Sequence, residues 1–335
     1  MLLTADKHVL EFIKPAKTSR GSYAQKEVVL LHLFCDNKEY VSEVAPLVDL
    51  SVDGHVDLMA VVKPFLGIEL NEASFLDLLS FCESYPSLRF GLYALWRKQQ
   101  AKSDIWVNSS FTRKEAAIEI NGLVWMNDIE SMLEEADKKV SEGFKCIKFK
   151  VGALDFDAEC RMLETFRKKH NPFSVEIRID ANGAFPEYAA MSLLKDLSRF
   201  DIHSIEQPIA VGKYEDMQKL CRESKIKIAL DEELIGIKPN EVGKLLNLIK
   251  PQFIILKPTL LGGFDRCDLW IREASRLDIA WWSTSALEGN IGLFDIAQWV
   301  SSYNINMPQG LGTGSLFVKN FPQNTRVDSG YLYRL

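Results

Sequence analysis

Gly143-Phe144-Lys145-Cys146-Ile147-Lys148-Phe149-Lys150-Val151-Gly152 sets two lysines two residues apart in an apolar run that stops at a glycine. Residues two apart on a strand share a face. Lys148 and Lys150 are therefore predicted to point one way, and Ile147, Phe149 and Val151 the other. Read alone, the stretch fits a solvated edge strand whose charges guard against aggregation. Its surroundings argue for a strand covered on both faces, where two lysines on one face need a reason.

Those surroundings alternate. A strand-like run at Ile120–Met126 and a helical pattern over 128–141 come before it. After it come strands at Val175–Asp180, Ile202–Glu206, Ile226–Asp231, Phe253–Lys257 and Ile279–Ser283. Helical patterns over 156–169, 187–199, 214–223, 239–248, 264–277 and 289–301 separate and follow them, and a last short strand is predicted near Tyr303-Asn304-Ile305. Eight strands alternating with helices mean a parallel sheet, and favour a closed (β/α)₈ barrel over a doubly wound open sheet. No G-x-G-x-x-G follows the first strand and no P-loop is present, which argues against a nucleotide site.

Residues 1–105 read differently, as an α+β unit. Val28–Cys35 and Tyr40–Val44 flank the turn Asp36-Asn37-Lys38 as a hairpin, a polar loop lies at Lys17–Ser22, and 73–81 and 88–96 are helical in period. The expected fold is α/β: a (β/α)₈-type barrel over 106–311, with the N-terminal α+β domain completed by the tail, 312–335, packing back on it.

At 335 residues, 47% hydrophobic and 26% charged, the chain has material for a sizeable core. The net charge of −6 and the absence of any Lys/Arg block exclude a nucleic-acid footprint. Six irregularly spaced cysteines without a C-x-x-C pair read as reduced thiols of a cytoplasmic protein. No signal core or membrane-length apolar run is present, so no membrane partner is expected. The oligomeric state is left open.

The polar residues at the strand ends are Lys150, Asp180, Glu206, Asp231, Lys257 and Ser283, spaced 25 to 30 residues apart. Barrel active sites collect at the C-terminal ends of strands. Taken singly, Asp180 and Asp231 could be helix N-caps. Glu206 is harder to explain so, because Pro208 and Gly212 delay its helix, and Lys257 follows four apolar residues. Recurrence at one period favours a site in which three carboxylates lie between two lysines. A hard oxygen set without His or Cys suits Mg²⁺, with Mn²⁺ as an expected substitute, acting as a Lewis acid. Lys150 is the expected base, its proton loosened by neighbouring positive charge, and Lys148 the neighbour that tunes it and reaches a substrate oxygen. Arg178 is expected on the same inward face, near the carboxylates. His203, three before Glu206, is expected to face the helix layer as a core histidine.

With K-F-K-V-G at 148–152, D-A-N at 180–182, E-Q-P at 206–208, D-E at 231–232 and K-P-x-L-x-G-G at 257–263, the chain resembles the enolase superfamily in its muconate-lactonizing-type subgroup. The resemblance implies Asp180, Glu206 and Asp231 as Mg²⁺ ligands and Lys150 and Lys257 on opposite faces of the substrate. It implies that the N-terminal domain caps the barrel, with Thr18, Ser19 and Arg20 in its closing loop. Lys148, Arg178, Asn182, Ser283, Ser285, Gly289, Asn290 and Ile291 are the implied substrate contacts. The backbone N–H groups and hydroxyls at the start of the 289–301 helix would cradle a carboxylate there. Gly289 stands where related sequences commonly carry serine. No histidine lies beyond His203, which argues against a histidine base, and 303–309 holds no Asp-x-Asp of the dipeptide-epimerase kind. The implied substrate is a small-molecule carboxylate. The implied reaction is the syn dehydration of 2-succinyl-6-hydroxy-2,4-cyclohexadiene-1-carboxylate in menaquinone biosynthesis. N-acylamino acid racemisation, dipeptide epimerisation and cycloisomerisation are the alternatives.

Overall fold

Three antiparallel strands, β1 (Leu2–Thr18), β2 (Gly21–Cys35) and β3 (Lys38–Val44), form the N-terminal sheet in that order. The structure, a computed structural model, describes residues 1–18 and 21–335, with the side chains of all but Lys17 and Thr18. Of the expected closing loop, Ser19, Arg20 and the side chain of Thr18 lie outside the described residues. Asp36 and Asn37 turn the β2–β3 hairpin at φ 51° and 60°, a setting Asp and Asn tolerate. β1 was not visible as a strand in the sequence because Asp6, Lys7, His8 and Glu11 break its apolar run.

Helices α1 (Leu58–Val62), α2 (Glu72–Phe81) and α3 (Pro86–Ala101) follow. Asn71 and Ser74 start α2 as a reciprocal capping box. α3 is apolar on two sides: Leu88, Leu92 and Leu95 pack on the N-terminal sheet, while Phe90 and Ala94 belong to the barrel core. A helix buried all round in this way is the seam between two units.

After a short strand β4 (Ile118–Glu119), the barrel units run β5 (Gly122–Val124), α4 (Ile129–Ser141), β6 (Cys146–Lys150), α5 (Phe156–Lys169), β7 (Glu176–Asp180), α6 (Glu187–Leu197), β8 (Ile202–Glu206) and α7 (Tyr214–Glu223). They continue with β9 (Lys227–Leu230), α8 (Val242–Ile249), β10 (Phe253–Leu256), α9 (Pro258–Leu261), α10 (Phe264–Ser275), β11 (Ala280–Ser283) and α11 (Asn290–Val300). The strands β5 to β11 pair in sequence order as one parallel sheet. Ile147, Phe149, Ile177, Ile179, Ile205, Ile228 and Ile254 meet the helices in one core, and the alternate residues turn inward. β6 is thus a central strand, not a solvated edge.

The predicted eighth strand at 303–305 is absent. Tyr303 instead meets the Trp281 ring edge-on at 5.1 Å and donates its hydroxyl to Asp268 Oδ1 at 2.5 Å, in the helix layer. Closure comes a few residues later, where Gly310 bridges Thr284 and Gln309 bridges Ile120, both in parallel sense. Two residues therefore stand in for a strand. Beyond them Phe317 bridges Phe12 of β1, with ring centroids 4.6 Å apart. The hairpin β12 (Thr325–Asp328) and β13 (Tyr331–Arg334) then pairs with β4. Among the described residues no helix is long and apolar enough to cross a membrane, and all six cysteines are free.

Candidate active site

Neighbouring strand ends build the centre. Lys150 is paired with Asp180 across β6 and β7, and Asp180 with Glu206 across β7 and β8, so the three side chains share the inward face. Asp231 follows β9 and Lys257 follows β10, on the other side of the mouth. Lys148, one inward position below Lys150, lies 2.8 Å from Asp180 Oδ2 and ion-pairs with Glu206. Lys150 Nζ donates to Asp180 Oδ2 at 2.6 Å and to Asn182 Oδ1 at 2.7 Å. Lys257 ion-pairs with Asp231. Asn182, at φ 45°, donates its Nδ2 to Glu232 Oε1 at 2.8 Å and its backbone N–H to Asp180 Oδ1 at 3.0 Å.

Burial acts against every charge here, and the neighbours decide the outcome. It opposes the Lys148 and Lys257 ammoniums, but Asp180 and Glu206 overcome it at Lys148, and Asp231 and Glu206 at Lys257; both are held above the ordinary lysine value. Asp180 is likewise buried, yet Lys148 and Lys150 hold its carboxyl well below the usual range. Glu206 has the poorer balance. Burial and then the like charge of Asp180 push it up to about 8.

These residues fit a divalent cation. Asp180, Glu206 and Asp231 are all buried, and Glu206 Oε1 has no hydrogen-bond partner among the described residues. A buried, unsatisfied carboxylate oxygen is costly, and a hard cation with oxygen ligands would satisfy it. Their oxygens do not form a ready cage: no group of three His, Cys, Asp or Glu side chains among the described residues is spaced as metal ligands. The lysine ammoniums lie against Asp180 Oδ2, Glu206 Oε2 and Asp231 Oδ2 instead.

Several expected site residues lie elsewhere. Ser283 pairs with Leu256, which faces the helices, and its Oγ donates to the Leu256 carbonyl at 2.9 Å. The inward residue at that strand end is Thr284. Ser285 is buried against Thr313, with hydroxyls 2.6 Å apart. Arg178 does face inward, but below the carboxylates. It donates to Glu176 Oε1 at 2.7 Å and the Pro308 carbonyl at 2.9 Å, and lies 4.3 Å over the Trp282 ring. His203 does not face the helices. The β7–β8 register shifts between Ile177 and Arg178, leaving His203 as the extra residue of a bulge. Its ring turns inward and stacks on Phe253 at 5.0 Å.

The expected carboxylate cradle at the start of α11 is taken by the protein itself. Glu43 of β3 accepts from Gly289 N at 2.6 Å and from Gly292 N at 2.9 Å. Asn290 N donates to Asn320 Oδ1 at 2.9 Å, and Ile291 sits in the same capped turn. Sequence reasoning missed Glu43, its neighbour Lys26 and the Asn182 partner Glu232. Glu232 was visible in the D-E pair; nothing in Tyr40–Val44 or in Gln25-Lys26-Glu27 distinguishes a buried charge from a surface one.

Comparison with known proteins identifies the family. A family model described as "Enolase C-terminal domain-like" matches residues 131–333. The o-succinylbenzoate synthase of Desulfotalea psychrophila is 41% identical over 354 aligned residues, covering 96% of each chain. The crystal structure of MenC from Desulfotalea psychrophila superposes with a TM-score of 0.84 at 36% identity, covering 99% of both chains. The N-succinylamino acid racemase of Thermus thermophilus is 26% identical over 289 residues, covering 82% of this chain and 75% of that one. The chain therefore belongs to the enolase superfamily.

Proposed function

We propose that the protein is an o-succinylbenzoate synthase, a lyase that dehydrates 2-succinyl-6-hydroxy-2,4-cyclohexadiene-1-carboxylate to 2-succinylbenzoate in menaquinone biosynthesis. One observation carries the chemistry: Lys150 and Lys257 rise on opposite sides of three buried strand-end carboxylates, one of which has an unsatisfied oxygen. The relative at 41% identity supports the choice of substrate.

Asp180, Glu206 and Asp231 would hold Mg²⁺. Bound there, it would neutralise the substrate carboxylate and make its α-proton more acidic. Lys150 takes that proton from one face, with the Asn182 carbonyl fixing its Nζ. It returns a proton to the departing hydroxyl on the same face. The α C–H and the C–O bonds break, water leaves, and the new double bond completes the aromatic ring. Lys257 remains cationic on the other face and stabilises the enediolate charge. Lys148 stays paired with its two carboxylates and orders them. The six free cysteines support a cytoplasmic setting.

The test is direct: purified protein with the cyclohexadiene carboxylate, without metal and with Mg²⁺ or Mn²⁺. Metal-dependent formation of the aromatic product is expected. Product at only the spontaneous rate would overturn the assignment. The racemase at 26% identity supports a second reading, N-succinylamino acid racemisation. Racemisation needs both lysines to exchange protons, so Lys257→Arg should retain dehydration and lose racemisation.

A further inference from the structure

The N-terminal domain meets the barrel mouth through a buried group of charges that the chemistry above does not use. Glu43 caps the start of α11 from β3. Lys26 of β2 donates to the Ala286 carbonyl at 2.7 Å and the Leu287 carbonyl at 3.0 Å. Glu288 accepts from the Thr259 hydroxyl at 2.5 Å, two residues beyond Lys257, and from Ala286 N at 2.8 Å. All three charged side chains are buried.

The fit leaves no slack. A Cβ at Gly289 would stand 3.0 Å from Asn320 Oδ1 and 3.1 Å from Glu43 Oε1. A Cβ at Gly292 would stand 3.0 Å from Glu288 Cβ and 3.3 Å from Glu43 Oε2. Leu287 has φ 60°, a setting that leucine keeps only where its surroundings impose it. A side chain at 289 would crowd Asn320 and Phe321 as well as Glu43, whose carboxylate does the capping from outside.

Joining the domains does not require this arrangement. Arg89 of α3 already grips both carboxylate oxygens of Asp265 at 2.8 and 2.7 Å, and Lys98 pairs with Asp295 at 2.8 Å. Apolar packing would join two surfaces as well as buried charges do. What these hydrogen bonds add is direction. Each fixes one backbone group between Ala286 and Gly292, beside the turn that carries Lys257.

We propose that Glu43 and Lys26 are positioning residues, holding the 284–292 segment as the wall that the remote arm of the substrate meets. The inference rests on the catalytic reading above. A wall that holds the arm equally in ground and transition state gives uniform binding, whose loss appears in KM rather than kcat.

The test is kinetics and product binding on the full chain, with far-UV circular dichroism confirming that each variant is folded at the assay temperature. Glu43→Gln places an amide NH₂ against one of two N–H donors. It should raise KM and the Kd of 2-succinylbenzoate about tenfold, with kcat within about twofold, the effect of roughly one charge-assisted hydrogen bond. Lys26→Met should act in the same direction. Glu43→Ala should match Glu43→Gln, and adding Gly289→Ser to it should recover part of the loss, because the new hydroxyl caps α11 from within while Asn320 and Phe321 still crowd it. In the wild-type background Gly289→Ser should instead weaken binding by crowding Glu43. Variants that melt earlier yet keep wild-type KM and Kd would overturn the proposal, as would Gly289→Ser acting alike in both backgrounds. Product binding needs no turnover, so a wild type that binds product without dehydrating substrate would count against the catalytic reading alone.

Discussion

Lys148 and Lys150 leave one strand on one face, yet their partners divide the labour. Lys148 meets two carboxylates; Lys150 meets one carboxylate and the amide of Asn182. Lys150→Ala should therefore cost about 10³-fold in kcat, the ordinary worth of a positioned acid–base group, with product affinity nearly unchanged. A tenfold effect or less, measured by steady-state assay, would remove Lys150 from that role. Parity along a strand made Lys150, Asp180, Glu206 and Asp231 legible from sequence. It failed at His203, where a bulge reverses the parity, and at Ser283, one residue short of the inward position. His203 also carries a pH signature. Burial pulls its pKa down to about 4 against the pull of Glu176, with Arg178 and Lys227 lowering it further. The unfolded chain takes up this proton below pH 6.5 and the folded chain only near 4, so stability falls as pH drops through that window, by up to roughly 3 kcal/mol. Urea melts at pH 7.5 and 4.5 should show a smaller acid loss for His203→Phe than for the wild type. Equal losses would contradict the buried neutral ring.

At the scale of elements, the alternation of short apolar runs with amphipathic segments is strong enough to read seven of the barrel strands. α5 and α7 match their predicted bounds. The eighth was misplaced because Tyr303 and Ile305 look like strand residues but pack with the helices. Gln309 and Gly310 carry no apolar pattern at all; their backbone bridges, with Gln309 Oε1 accepting from Ser283 N at 2.7 Å, close the circle. Closure depends on Gly310 having no side chain, since a Cβ there would fall 2.3 Å from Thr284 Cγ2. Gly310→Ala should lower stability by about 1–3 kcal/mol, the usual cost of overpacking, read as a lower urea midpoint. An unchanged midpoint would mean that the staple yields at no cost. β1 was hidden for another reason: its buried Leu3, Leu10, Phe12 and Ala16 are separated by charged residues, and backbone bonds to β2 hold the strand between them.

Across the whole molecule, the sequence reading of a barrel with a smaller companion domain holds, while the manner of their joining was not legible. Lys26, Glu43, Arg89 and Lys98 resemble surface charges until partners hundreds of residues away are known. The inward residues Ala229, Phe253, Ile255 and Trp282 pack together beneath the carboxylates, with Arg178 laid over Trp282. They make a floor that closes the inner end of the barrel, so substrate is expected to reach the carboxylates from the mouth at the strand ends. Substrate must enter, and both water and the aromatic acid must leave, by the same route and never at once. Departure then competes with arrival, and turnover should slow as solvent viscosity rises, in the manner of an enzyme limited by opening rather than by bond breaking. A kcat indifferent to added sucrose would place the slow step back at the lysines.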